Sequence, residues 1–131
     1  MKMVKQLSLF LENKPGTLAV MCRALARADI SIHALSVSDA VDHAVVRMVV
    51  DKPSKALHLL GDHGLLVVER EVLMLSGDNK PGEMAEIARK LAKAKVNIEY
   101  AYTATPPGAA SGVMILRVND QKKAARALKD H

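Results

Sequence analysis

The chain has no tryptophan, one cysteine, one phenylalanine and two tyrosines in its 131 residues, and each shortage closes off a class of protein. A single thiol cannot close an intramolecular disulfide, so this is no disulfide scaffold, and Cys22 among apolar neighbours reads as a small buried hydrophobe in a reducing compartment. No apolar run comes near the roughly 18 residues that cross a bilayer, and Met1-Lys2-Met3-Val4-Lys5 leads straight into strand-like sequence instead of a signal-peptide core. The expected location is cytoplasmic, with no membrane partner. Charge of one sign is nowhere concentrated: residues 1–66 carry eight basic and six acidic side chains, and residues 67–131 carry eleven and eight. The net charge of +5 is spread too thinly for a nucleic-acid footprint, and Arg89-Lys90-Leu91-Ala92-Lys93-Ala94-Lys95 reads as the solvated face of a helix.

Scarce aromatics also count against an RNA-reading sheet, whose central strands would display stacking rings where this chain has Leu7, Leu9, Val113 and Ile115. Tyr100 and Tyr102, expected to share a face with Ile98, read as core packing with hydroxyls at the rim. The sequence holds no glycine-rich phosphate loop, no nucleophile with an ordered base, and no recognisable carboxylate pair. Lys14 and Lys80, each followed by proline, are poor substitutes for the arginine of a phosphate loop. Of the five histidines only His58 and His63 lie close together, at i and i+5, which does not put two ligands on one helix face. The expectation is a protein that is not an enzyme and uses no cofactor and no metal.

Half the residues are hydrophobic, enough for a core, and they recur in a pattern. Displacing the sequence by 66 residues lays Glu12-Asn13-Lys14-Pro15-Gly16-Thr17-Leu18 on Asp78-Asn79-Lys80-Pro81-Gly82-Glu83-Met84. Ten positions in residues 12–37 and 78–103 are identical, including Leu25/Leu91, Ala28/Ala94 and Ile32/Ile98. The chain is a duplication, with expected domains at residues 1–68 and 69–131.

Each copy reads as strand, Pro-Gly turn, helix, hairpin, helix. Leu7 and Leu9 alternate in a strand at residues 5–10, and Leu18, Met21, Cys22 and Leu25 recur at helical spacing. Strands follow at residues 30–37 and 44–50, with Asp39 and Asp42 flanking a tight turn, and a helix over 54–62 turns Leu57 and Leu60 inward. In the second copy Val72 to Leu75 is a strand, and Met84, Ile87, Ala88 and Leu91 form the helix stripe. Strands at 96–103 and 113–118 and a helix over 121–129 complete it. Leu65-Leu66-Val67-Val68 supplies a fourth strand to the first copy and runs on into the second, which ends before any counterpart. The predicted class is α+β: two tandem ferredoxin-like βαββαβ sandwiches, the second lacking its final strand and left with an open sheet edge.

The loop residues Asn13-Lys14-Pro15-Gly16-Thr17-Leu18 have a chemistry of their own. A helix starting at Gly16 or Thr17 presents unpaired N–H groups and a positive dipole end, suited to a carboxylate, and Asn13 or Asn79 adds an amide that serves a carboxylate or an ammonium group. The same residues are equally good turn and capping chemistry.

The pattern as a whole, with Ile30-Ser31-Ile32 and Val96-Asn97-Ile98 opening the second strand of each copy, resembles the ACT domain, an amino-acid-sensing module of regulated biosynthetic enzymes. The resemblance covers nearly the whole chain as two copies. It implies a ligand site at a seam between domains, with the loop of Asn13, Lys14, Pro15, Gly16, Thr17 and Leu18 facing Asn97 and Ile98. A second, weaker site would set Asn79, Lys80, Pro81, Gly82, Glu83 and Met84 against Ser31 and Ile32, because Glu83 already satisfies the helix dipole and repels a carboxylate. Leu11 stands where a serine-sensing ACT domain has histidine. The implied partners are a small amino acid, a second copy in a homodimer, and a regulated biosynthetic enzyme, with no nucleic acid. The alternative is a ligand-free protein–protein interaction module that recruits a partner strand at the open edge of the second copy.

Overall fold

The computed structural model describes residues 1–40 and 42–131. Among them the elements run β1 (Lys2–Glu12), α1 (Thr17–Arg27), β2 (Ile32–Asp39), β3 (His43–Val50), α2 (Pro53–Asp62), β4 (Val67–Asp78), α3 (Glu83–Lys93), β5 (Ile98–Ala104), β6 (Ser111–Val118) and α4 (Gln121–Ala127). This is the α+β, doubled ferredoxin-like order expected from the repeat. The turn expected between Asp39 and Asp42 contains Val41, which lies outside the described residues.

The chain divides into two compact units, Lys5–Arg70 and Met1–Val4 with Glu71–His131. In the first, β3 runs antiparallel to both β1 and β2, with Leu7 opposite Met48 and Leu9 opposite Val46. Period-two alternation therefore sends Leu7, Leu9 and Leu11 to the same face as Val46 and Met48, where Met21 and Leu25 of α1 and Ala56 and Leu60 of α2 close the core. Each such side chain, fully buried, contributes about 1.5–3 kcal/mol. Leu18, Cys22 and Leu57 are partly buried against this cluster. Pro53 starts α2, where its missing N–H costs nothing.

The second unit repeats the plan. Leu73 faces Leu116 and Leu75 faces Met114 across β4 and β6, and Ile87, Leu91, Ala124 and Leu128 pack on them from α3 and α4. Asp120 caps α4, its side chain accepting from the Lys123 N–H at 3.0 Å.

Two expectations are corrected. No strand follows α4, but the edge beside β4 is not open: β1 is the neighbour of β4, and Met1–Val4 belong to the second unit. The first residues of β1 thus serve as the second unit's fourth strand, as the first residues of β4, Val67–Arg70, do for the first unit. Lys5 and Glu69 mark the latter pairing with an ion pair at 3.3 Å. A partner strand has no vacancy to fill there.

The second correction concerns Tyr100 and Tyr102. Ile98 is opposite Val118 while Tyr100 is opposite Arg117, and Ile32 is opposite Val50 while Ala34 is opposite Val49. Both β2 and β5 thus carry a one-residue irregularity at the same repeat position, and one extra residue reverses the faces beyond it. Ile98 stays with Val118 on the helix side, whereas Tyr100 and Tyr102 lie on the other face with Arg117 and Ile115.

Candidate functional site

β1 ends at Glu12 and α1 begins at Thr17, so Asn13, Lys14, Pro15 and Gly16 make the whole turn. Gly16 is left-handed at φ +92°, and Gly82 at +88°. A residue with a Cβ would be strained there by about 1–2 kcal/mol, although the space in front of both glycines is open. Gly16 supplies no side-chain cap, and the first turn of α1 contains no acid. The Thr17 hydroxyl is committed elsewhere, donating to the carbonyls of Glu12 at 2.8 Å and Lys14 at 3.1 Å. The positive end of α1 is therefore left without an acidic side chain of its own.

The asparagines have structural tasks. Asn13 Nδ2 donates to Asp39 Oδ1, and Asn79 Nδ2 donates to the Ala109 carbonyl at 2.7 Å, so each ties its turn to the hairpin of its own unit. Lys14 pairs with Glu12 at 2.9 Å and Lys80 with Asp78 at 3.8 Å, all four side chains well exposed, so these pairs are worth little. Pro15 and Pro81 occupy the two turns.

At the start of β2 the Ser31 N–H donates to Asp51 Oδ1 at 2.9 Å, and before β5 the Asn97 N–H donates to Asn119 Oδ1 at 2.9 Å. Ile32 and Ile98 are partly buried against their cores. Within a unit these residues do not meet the loop. Glu12 is level with His43, and Ile32 with Val50 at the other end of β3. At about 3.3 Å per residue the two groups are roughly 20 Å apart. The structure thus gathers Asn13–Leu18 into one loop and Ser31 with Ile32 at the opposite end of the same unit. Asn79–Met84 and Asn97 with Ile98 are separated in the same way in the other.

The second loop differs in one respect that sequence reasoning missed. Glu83 is only 6% exposed. Its Oε2 accepts from the Asp78 N–H at 2.7 Å, its Oε1 bonds to Nε2 of His131, and Nδ1 of His131 is 3.0 Å from Lys90 Nζ. Gly77, the counterpart of Leu11, lies nearby: a Cβ there would come within 2.5 Å of the Met114 side chain, and Glu83 Cγ would be at an ordinary contact distance of 3.5 Å. Burial works against the Glu83 carboxylate, but the Asp78 N–H, His131 and Lys80 together hold its pKa below the ordinary 4.5. A lowered carboxylate pKa stabilises the fold above the unfolded-state value, and that stabilisation is lost as pH falls through the folded-state value. The expected result is that urea midpoints of the parent chain drop below about pH 4.5 more steeply than those of Glu83→Gln, with the two curves parallel above it.

Among the described residues no three His, Cys, Asp or Glu stand together where a metal could be held, and no helix is long and apolar enough to cross a membrane.

The model of one family, the ACT domain pair, matches residues 2–130. No curated protein matches the chain. Among solved structures, protein BT0572 from Bacteroides thetaiotaomicron is 32% identical, covering 98% of this chain and 88% of that one with a TM-score of 0.91. The regulatory subunit of aspartate kinase from Thermus thermophilus, in its ligand-free form, is 21% identical over 95% of this chain and 90% of that one, with a TM-score of 0.71. The corresponding subunit from Thermus flavus is also 21% identical, with the same coverage and a TM-score of 0.67. At that identity the two subunits are similar in fold.

Proposed function

Because the chain belongs to the ACT-domain family, as a domain pair, we propose that it is a regulatory module without catalytic activity of its own, working in the cytoplasm as a homodimer. In this reading a small amino acid binds where the loop Asn13–Leu18 of one ACT domain meets Asn97 and Ile98 of another. The observation that carries it is the difference between the two loops. The first ends on a helix start with no side-chain cap and no acid in its first turn, while the second already holds the carboxylate of Glu83. An incoming carboxylate is favoured at the first and repelled at the second, which leaves Asn79–Met84 with Ser31 and Ile32 as the weaker site. Because loop and strand start lie at opposite ends of one unit, completing the site takes residues from two domains. Occupancy then shifts the balance between two packings by its differential affinity for them, and a biosynthetic enzyme reads the result. The likeness to regulatory subunits of aspartate kinase supports a partner of that kind.

A thermal-shift scan against the twenty amino acids tests this. A ligand at 100 times its dissociation constant stabilises by about 2.7 kcal/mol, a rise of several degrees for a chain of this size. One or two amino acids are expected to respond, Asn13→Ala to remove the response, and Asn79→Ala to leave it. A flat panel overturns the reading.

A further inference from the structure

We propose that the first unit holds a second ligand site, the cleft between α1 and α2, which shares Lys14 and Thr17 with the loop Asn13–Leu18 and takes a small aliphatic monocarboxylate. The cleft has a volume of about 450 Å³, and its lining includes Leu11, Met21, Ala24, Leu60 and His63 together with the ion pair of Glu12 and Lys14. That volume lies within the usual range of small-molecule pockets, roughly 300–1,000 Å³.

The second unit shows what chemistry fits such a place. There the carboxylate of Glu83 lies between the Asp78 N–H and the imidazole of His131. Leu60 and Leu128 are counterparts in the two cores, and His63 and His131 each stand three residues beyond them. The first unit therefore repeats both flanking positions, Glu12 for Asp78 and His63 for His131, but puts Thr17 in place of the residue that bears the carboxylate. Thr17 turns to the loop carbonyls instead, and His63 Nδ1–H donates to the Leu59 carbonyl at 2.8 Å, so that Nε2 donates to a carboxylate in the imidazolium form of the ring. The other exchanges run toward apolar lining: Ala24 replaces Lys90 and Leu11 replaces Gly77. A carboxylate head between the Glu12 N–H and His63, beside the exposed Lys14–Glu12 ion pair, leaves the hydrocarbon tail over Val20, Ala24 and Leu65, the accessible apolar part of the lining, with the buried Leu11, Met21 and Leu60 beneath. The site needs no ammonium group, no Asn97 and no second copy, which separates it from the amino-acid reading above.

The probe is 4-methylpentanoate, which has the head and tail but no amine, titrated into the full chain carrying ¹³C-methyl methionine, with the Met21 signal assigned from Met21→Leu. The expected result is a saturable shift of the Met21 methyl, at least tenfold weakened in Thr17→Glu, which supplies the missing carboxylate, and in Ala24→Leu, which fills the cleft. Asn97→Ala should bind the probe as the parent does. Should Ala24→Leu fail to fold, Thr17→Glu decides. A Met21 methyl that stays still up to about 10 mM probe, or that shifts equally in Thr17→Glu, overturns the proposal. So does loss of binding in Asn97→Ala, which would assign the probe to the seam. A flat amino-acid panel with a moving Met21 would overturn only the earlier reading.

Discussion

Removing residues 1–4 is expected to loosen a part of the chain that begins only at Glu71. Met1–Val4 belong to the second unit and lie at its β4 edge, so their loss strips hydrogen-bond partners from β4 while leaving the core of Lys5–Arg70 covalently intact. Buried backbone groups left unpaired cost about 1–3 kcal/mol each, so a few of them exhaust much of the roughly 5–15 kcal/mol by which a domain is stable. Amide hydrogen exchange read by mass spectrometry should show peptides of β4 and β6 losing protection by tenfold or more, and peptides of α1 and β3 changing far less. Equal losses in both sets, or none, would contradict the assignment of these residues to the second unit.

Leu25→Ala and Leu91→Ala should each cost about 2–5 kcal/mol in urea unfolding, because both leucines are 1% exposed and each anchors its helix to its own sheet. Arg23→Ala and Arg89→Ala offer the contrast. These arginines are also identical between the copies, yet both are exposed, and the Arg89 bond to Glu86 at 2.7 Å is an exposed pair on one helix. Their loss should cost less than about 1 kcal/mol. Identity across the repeat therefore marks descent, and only burial separates the residues that hold the fold. Similar costs for leucine and arginine variants would refute that distinction.

The elements were legible because local and repeated signals agree. Helical spacing places Met21 and Leu25, alternation places Leu7 and Leu9, and the second copy restates both. The loop was legible for the same reason, since Gly16 and Gly82 both adopt the left-handed conformation that follows Pro15 and Pro81. What stayed hidden depends on residues distant in sequence. Nothing in Met1-Lys2-Met3-Val4 says which strand it will lie beside, and alternation cannot reveal an irregularity of one residue, so it assigns Tyr100 and Tyr102 to the wrong face. Helix-dipole reasoning finds Glu83 at its helix start but not its burial, because its partner His131 is 48 positions away.

The sharing of β1 and β4 also orders events during synthesis. Lys5–Arg70 contains all the strands its own unit needs, so it can close as soon as Arg70 is free of the ribosome. Met1–Val4 emerge earlier still, yet their neighbours begin at Glu71. At about 5–20 residues per second they wait for several seconds as an unpaired strand segment carrying Met1, Met3 and Val4. Long-range closure of this kind is slow in its own right, so the pairing of Met1–Val4 with the second unit should follow the closure of Lys5–Arg70.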